Sequence, residues 1–243
     1  MDSRNERSEN MINVQLWKNQ PETSYRIIAF GSSNTELTWS SEGRHNWVDW
    51  LGINLRAHIG KHVCIINQGI GGDTSSDLLR RLDRDVLSFL PAAVIITVGG
   101  NDAAKGGSVE QYIDNVRQIC SRLRELKSEP VLHSYYCPLY HLHPEGFEQT
   151  FKDIVEANRQ LSKEMDLTHL DTYSRFEPFY LHEPEEYTRL MRDRLHVNHL
   201  GNLLMGMHVS EELKLPKLQI PQDIKGEAEM LWERMSRWYG RRA

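Results

Sequence analysis

Short apolar runs alternate along the chain with longer stretches in which apolar residues recur every three or four positions. The short runs are typical of buried strands, and the longer stretches are typical of amphipathic helices. Because continuous apolar strands that alternate with helices form parallel sheets covered on both faces, the pattern predicts an α/β fold. The predicted strands are Ile27–Phe30, Val63–Ile66, Val94–Val98, Val131–Tyr136 and a weaker one at Leu167–Leu170.

Capping residues mark where several of the predicted helices begin. Thr74 with Asp77, and Ser108 with Gln111, have the spacing of a capping box. Asn46 is also a favourable N-cap residue, because its side-chain oxygen can accept a free backbone N–H of the first turn. These signals place helices after several of the apolar runs.

The chain divides into three parts by its pattern. We expect a polar N-terminal segment over residues 1–24 and one α/β domain over residues 25–215. Residues 216–243 form the third part, in which apolar positions from Ile224 to Trp238 recur at helical spacing. This pattern predicts an amphipathic C-terminal helix that packs on the domain or, as a homo-oligomer contact, on a partner subunit.

Charge and composition exclude several classes of function. The net charge is −5 and no long basic block occurs, so nucleic acid is not an expected partner. No apolar run approaches the length of a membrane span, and the N-terminus lacks an apolar secretory core. The three cysteines match no zinc or redox motif. We therefore expect a soluble, cytoplasmic protein without a membrane partner.

Polar and glycine-rich segments follow the predicted strands. In parallel sheets the carboxyl ends of the strands are where chemistry gathers, so these segments are expected to meet. The glycine-rich loop before Thr74 could cradle a phosphate, but it lacks the lysine of a P-loop and the spacing of a dinucleotide site. A nucleotide-binding α/β protein stays open as an alternative. The segments are Gly31–Thr35, Asn67–Leu79, Val98–Lys105 and Asp193–Asn202.

Together these segments contain the parts of a serine nucleophile site. A serine at residue 32 or 33 needs a base, and His196 can take its proton while Asp193 orients the imidazole. Asp102 is a competing carboxylate that we expect to brace its own turn. A tetrahedral oxyanion needs fixed donors, which the Asn101 amide and the backbone N–H groups of Ser33 and Gly72 could supply.

The segments, taken in order, resemble the SGNH/GDSL hydrolase family. That family has the blocks G-D-S-x-T, a second-block glycine, G-x-N-D and D-x-x-H. Here they read Gly31–Thr35, Ile70–Thr74, Gly99–Asp102 and Asp193–His196, and the resemblance covers roughly residues 25–213. It implies a three-layer α/β/α sandwich with a parallel sheet of about five strands, flavodoxin-like in type. It also implies ester hydrolysis without a metal or organic cofactor.

The resemblance also assigns the serine. Aligning Gly31 and Thr35 with the family's Gly and Thr makes Ser33 the nucleophile and puts Ser32 where the family has Asp. A serine hydroxyl there can accept hydrogen bonds but carries no charge, and we expect the turn to survive. The residues implied are catalytic Ser33, Asp193 and His196, with an oxyanion hole of Ser33, Gly72 and Asn101.

The substrate is expected to be a small ester. No strongly apolar lid suggests a long-chain lipase, so we favour short acyl esters, above all acetyl groups on a carbohydrate. Trp39 and Tyr140 are candidate platforms for a sugar ring, and His141 and His143 suggest an exposed loop rather than a metal site. A lysophospholipase or thioesterase-type acyl hydrolase, and a non-catalytic carbohydrate-binding relative, stay open as alternatives.

Overall fold

The computed structural model describes residues 12–36 and 42–239. Its centre is a sheet of five parallel strands. The strands are β1 (Tyr25–Gly31), β2 (Val63–Gly69), β3 (Ala93–Thr97), β4 (Glu129–Ser134) and β5 (Thr168–Asp171). Their order is β2-β1-β3-β4-β5, the flavodoxin-like order in which the chain reverses direction across the sheet next to β1.

Helices cover both faces of the sheet, which confirms the three-layer α/β/α sandwich. One layer contains α1, α6, α8 and α9, and the other contains α2, α4 and α5. The helices are α1 (Trp47–His58), α2 (Ser75–Asp85), α3 (Gly100–Ala104), α4 (Val109–Glu125), α5 (Phe147–Glu164), α6 (Thr172–His182), α7 (Pro184–Thr188), α8 (His199–Glu212) and α9 (Gln222–Trp238).

The helix starts follow the capping signals. Thr74 precedes α2, and its hydroxyl accepts the Asp77 N–H while the Asp77 carboxylate accepts the Thr74 N–H. Asn46 caps α1 in the same reciprocal way. Ser108 caps α4 by accepting the Gln111 N–H, without a return bond. Local side-chain chemistry therefore sets these three boundaries.

The fourth strand ends earlier than its apolar run predicts. β4 stops at Ser134, and the next two residues, Tyr135 and Tyr136, leave the sheet at its carboxyl edge. The neighbouring strands end at Thr97 and Asp171, so the backbone beyond Ser134 has no strand to pair with. Two buried tyrosines consequently lie beside the other polar strand ends.

The C-terminal helix α9 buries one face against the domain. Its apolar positions Ile224, Ala228, Leu231 and Met235 are buried, and its neighbours are α6 and α8. Arg175 of α6 reaches into this contact and stacks on two aromatic rings at the end of the chain. An additional homo-oligomer contact through α9 stays a prediction.

Among residues 12–36 and 42–239, none of the helices combines the length and the apolarity needed to cross a bilayer.

Candidate active site

The segment after β1 turns sharply and carries Ser33 at the carboxyl edge of the sheet. The Thr35 backbone N–H donates to the Ser32 carbonyl oxygen at 2.9 Å, which closes the turn. Only glycine fits at position 31, because a Cβ there would lie 2.3 Å from Thr35 Oγ1. Ser33 itself is half-buried, so its hydroxyl is held in a fixed turn and is still reachable.

Ser33, His196 and Asp193 form a continuous hydrogen-bonded chain. His196 Nε2 lies 2.9 Å from Ser33 Oγ, and His196 Nδ1 lies 2.8 Å from Asp193 Oδ2. With an ionised Asp193, Nδ1 carries the proton, and Nε2 is then the acceptor for the serine hydroxyl. The structure thus brings together the three residues predicted for a serine nucleophile site, in an arrangement that suits proton transfer from Ser33 to His196.

The loop that carries Asp193 holds this carboxylate in its ionised form. Burial raises the pKa of Asp193, but hydrogen bonds from the Leu195 and His196 backbone N–H groups and from the imidazole together keep it below its ordinary value. Both N–H groups lie 2.7 Å from Oδ1. An antiparallel bridge between Met191 and Val197 closes the loop around them. The carboxylate is therefore charged and fixed at neutral pH.

The glycine-rich loop after β2 passes beside the serine. A Cβ on Gly71 would lie 3.8 Å from Ser33 Cβ, so the loop backbone approaches Ser33 closely. Gly72 has a positive φ of 83°, a conformation that favours glycine. The Lys105 ammonium donates to the Gly72 carbonyl oxygen at 2.8 Å. The oxyanion role of the Gly72 N–H stays a prediction.

Asn101 lies in the short helix α3 that follows β3. Its side-chain amide donates to the Asp73 carbonyl oxygen at 2.9 Å, which ties α3 to the glycine-rich loop. An amide NH₂ has two hydrogens, so one donor remains after this bond. Asn101 therefore retains one donor for the predicted oxyanion role, which itself stays a prediction.

Asp102 connects α3 to the start of α2. Its carboxylate accepts the Ser75 backbone N–H at 3.1 Å and the Ser75 hydroxyl at 2.6 Å. Its own backbone N–H also donates to the carboxylate, so Asp102 braces its own turn and the neighbouring loop. Burial raises the pKa of Asp102, although the bonds from Ser75 oppose this rise. Asp193, and not Asp102, is the carboxylate on the imidazole.

Two tyrosines that sequence reasoning missed contact the turn Gly31–Thr35, which carries the predicted nucleophile Ser33 and is called the nucleophile turn below. Tyr135 OH lies 2.7 Å from Ser32 Oγ, at the position where the family has Asp. Tyr136 OH lies 2.5 Å from Asn34 Oδ1, on the other side of Ser33. Both follow β4, so the strand-end rule would have found them had the end of β4 been predicted correctly.

Residues at the start of α1 support the same turn from behind. Asn46 Nδ2 donates to the Thr35 carbonyl oxygen at 3.0 Å, and Trp47 Nε1 donates to the Asn34 carbonyl oxygen at 2.9 Å. Both side chains are buried. They therefore stabilise the turn.

The other candidates are placed as follows. Tyr140 is only 7% exposed and its hydroxyl contacts Tyr173 at 2.8 Å, so it is not an open platform for a sugar. Trp39 lies outside the described residues.

The histidine candidates make contacts within the protein. His143 stacks on Phe147 with ring centroids 3.8 Å apart. His199, the first residue of α8, contacts Glu42 through its ring Nδ1 at 3.2 Å. Within 12–36 and 42–239, no group of three or more metal-ligating side chains is gathered.

Comparison with known proteins agrees with this architecture. The chain resembles the thioesterase 1/protease 1/lysophospholipase L1 of Escherichia coli, with 28% identity over 53% of this chain and 56% of that one. It also resembles the probable rhamnogalacturonan acetylesterase YesY of Bacillus subtilis, with 25% identity over 82% of this chain and 96% of that one. At these levels of identity, neither relative establishes the substrate of this chain.

A similar solved structure is Axe2, an acetylxylan esterase from Geobacillus stearothermophilus. It superposes with a TM-score of 0.69 at 18% identity, covering 82% of this chain and 98% of Axe2. At this identity the likeness shows the fold. Catalytic mutants of Axe2 that replace a serine, an aspartate or a histidine by alanine have also been solved.

A sequence profile of the GDSL-like Lipase/Acylhydrolase family matches residues 29–204, which span the turn with Ser33, the glycine-rich loop and the Asp193–His196 loop. The match covers most of the chain and all four predicted blocks. The chain therefore belongs to the GDSL-like Lipase/Acylhydrolase family and is a carboxylic ester hydrolase.

Proposed function

We propose that this protein hydrolyses short-chain acyl esters, chiefly acetyl esters, by a Ser-His-Asp mechanism. The observation that carries the proposal is the unbroken chain from Ser33 Oγ to His196 Nε2, at 2.9 Å, and from His196 Nδ1 to Asp193 Oδ2, at 2.8 Å. A hydroxyl in hydrogen-bond contact with a neutral imidazole that is oriented by a carboxylate is an activated nucleophile.

In the proposed reaction Ser33 Oγ attacks the ester carbonyl carbon while His196 takes the hydroxyl proton. The backbone N–H groups of Ser33 and Gly72 and the remaining Asn101 amide N–H donate to the oxyanion. The tetrahedral intermediate then expels the alcohol, which leaves with the proton held by His196. Water attacks the acyl-enzyme by the same route, with His196 again as base, and releases the acid. Asp193 stabilises the imidazolium in both steps.

The proposal of a short acyl group rests on the sequence, in which no strongly apolar lid segment occurs. The names of YesY and Axe2 support an acetylated carbohydrate as the alcohol component.

A thioesterase or lysophospholipase activity is the second candidate. The resemblance to the Escherichia coli enzyme of that name favours it, although the aligned part is 56% of that enzyme. Acyl-chain preference separates the two candidates, because a thioesterase or lysophospholipase acts on longer acyl chains. A cytoplasmic site of action is part of the proposal and rests on the sequence.

The test is hydrolysis of p-nitrophenyl acetate, butyrate and octanoate by the wild type and two serine variants. We expect Ser33→Ala to lower kcat on the order of 10⁵-fold or more. Ser32→Ala is the matched control, because it removes an adjacent hydroxyl that contacts Tyr135 and not the imidazole. Loss of activity in Ser32→Ala alone would show that the nucleophile is misassigned.

Substrate class is tested with the same preparations. Release of acetate from acetylated xylo-oligosaccharides, with little release of fatty acid from lysophosphatidylcholine or acyl-CoA, supports the carbohydrate esterase. The opposite preference supports the second candidate. A folded wild type that binds acetylated sugars and hydrolyses no ester would favour a non-catalytic carbohydrate-binding protein.

A further inference from the structure

The hydroxyl of the buried residue Tyr136 contacts both halves of the candidate active site. Its oxygen lies 2.5 Å from Asn34 Oδ1 and 2.5 Å from the Leu195 carbonyl oxygen. It also accepts the Val197 backbone N–H at 3.1 Å. The Tyr136 side chain is 1% exposed, so water does not compete for these bonds.

The three partners are the sequence neighbours of the two residues that exchange a proton. Asn34 directly follows Ser33 in the sequence. Leu195 and Val197 stand on either side of His196. We propose that Tyr136 is a positioning residue, which holds Ser33 Oγ and His196 Nε2 at the distance that proton transfer requires. This inference rests on the proposed function, because it assigns a role within that reaction.

The hydrogen-bonding capacity of the hydroxyl agrees with such a junction. A tyrosine hydroxyl has one proton to donate and lone pairs that accept. Asn34 Oδ1 and the Leu195 carbonyl oxygen are two acceptors within reach of its proton, one in each half of the site. The Val197 N–H donates to the hydroxyl oxygen. The hydroxyl therefore bonds through its proton as well as through a lone pair.

The junction matters because the other bonds of each half lead to different neighbours. The turn with Ser33 is held by Asn46, Trp47 and Tyr135. The base loop (Asp193–His196) is held by the Asp193 carboxylate and by the Leu139 N–H, which donates to the Arg194 carbonyl oxygen at 3.0 Å. Those contacts position each segment separately, whereas one oxygen that contacts both segments ties them to each other directly. A misplacement of about 1 Å at such a site can cost about a hundredfold in rate.

The chain provides a matched control in the adjacent residue. Tyr135 is 4% exposed, and its hydroxyl contacts Ser32 Oγ at 2.7 Å and the Thr97 carbonyl oxygen at 3.2 Å. Its hydroxyl therefore supports the nucleophile turn without joining it to the base loop. Tyr135→Phe removes the same chemical group, equally buried, one residue away.

The experiment compares kcat and KM for p-nitrophenyl acetate, together with thermal unfolding, in Tyr136→Phe, Tyr135→Phe, Asn34→Ala and Ser33→Ala. We expect Tyr136→Phe to lower kcat by about tenfold to a hundredfold, with KM within about twofold of the wild type. Tyr135→Phe lowers kcat by a smaller factor. Asn34→Ala should lower kcat to the same extent as Tyr136→Phe. The double variant that combines these two changes, measured alongside, should have a kcat no lower than either single variant, because both changes remove the same junction.

Equal losses of kcat in Tyr136→Phe and Tyr135→Phe, at matched unfolding temperatures, would overturn the positioning role and leave the proposed function standing. A rise in KM with unchanged kcat would overturn it too. If Tyr136→Phe does not fold, Asn34→Ala decides, and wild-type kcat in that variant overturns the inference. Activity that survives Ser33→Ala overturns both the inference and the proposed function.

Discussion

The Arg81 guanidinium donates to the Gly31 carbonyl oxygen at 2.9 Å, two residues before the candidate nucleophile. Arg81 is 8% exposed and also bonds to Asp73 at 2.7 Å and Asp85 at 3.0 Å. It therefore joins the end of β1 to the glycine-rich loop through a buried charge. Such a group is paired on every side, because a buried unpaired charge is costly.

Arg81→Met is expected to destabilise the fold by about 3–5 kcal/mol, because it leaves Asp73 and Asp85 largely buried without this partner. Urea unfolding measures the change. Arg84→Met is the control: that side chain is 73% exposed, so solvent screens its bond to Asp85 and about 1 kcal/mol or less is expected. A similar small cost in both variants would contradict the structural role of Arg81.

Gly72→Ala is expected to lower kcat about tenfold to a hundredfold, because it strains the backbone that carries an oxyanion donor. Gly106→Ala is a matched control. Both residues have positive φ, 83° and 68°, and a Cβ at either position would meet nothing within 4 Å. Each should therefore cost about 1 kcal/mol of stability by conformation alone. Comparable kcat values for the two variants would argue against the Gly72 donor.

Asn101→Ala is expected to lower kcat by about a hundredfold to a thousandfold with little change in KM, because the donor acts on charge that develops in the transition state. Steady-state kinetics on p-nitrophenyl acetate checks this. Asn101→Asp keeps the size of the side chain but replaces a donor by a negative charge, so its kcat should be no higher. An unchanged kcat in Asn101→Ala would remove this residue from the oxyanion site.

The pH dependence of stability is expected to carry a contribution from His133. Its ring bonds to Thr97 and Thr172, and burial lowers its pKa to about 3. Below about pH 6.5 the unfolded chain binds a proton here that the folded chain does not bind until about pH 3. The free energy of unfolding therefore falls with decreasing pH in this window, by up to about 1.4 kcal/mol per pH unit.

The measurement is urea unfolding at pH 7, 6, 5 and 4 for the wild type and His133→Gln. The variant cannot bind that proton. As the pH falls from 7 to 4, its free energy of unfolding should therefore rise relative to that of the wild type. A difference that stays constant from pH 7 to pH 4 would mean that His133 is not buried in its neutral form.

Much of the fold could be predicted because its signals are local. Apolar runs located all five strands, and capping residues such as Thr74 located helix starts, since both depend on near neighbours in sequence. The end of β4 was missed because it depends on where the adjacent strands stop. Tyr140 was misread for a similar reason: its ring is buried by contacts with Phe147 and Phe151, and its hydroxyl contacts Tyr173, which is 33 residues away.

The sequence by itself determined the parallel α/β class, the residue types of a nucleophile site and their order along the chain. Those properties depend on periodicity and on short spacings, such as the three residues from Asp193 to His196. Tertiary structure alone decided which groups meet. Ser33 and His196 are 163 residues apart in the sequence. Tyr136, which contacts both of their segments, is 102 residues from Asn34 and 59 residues from Leu195. Hydrogen-bond distances across such separations are set by the packing of the whole sheet, which no local pattern encodes.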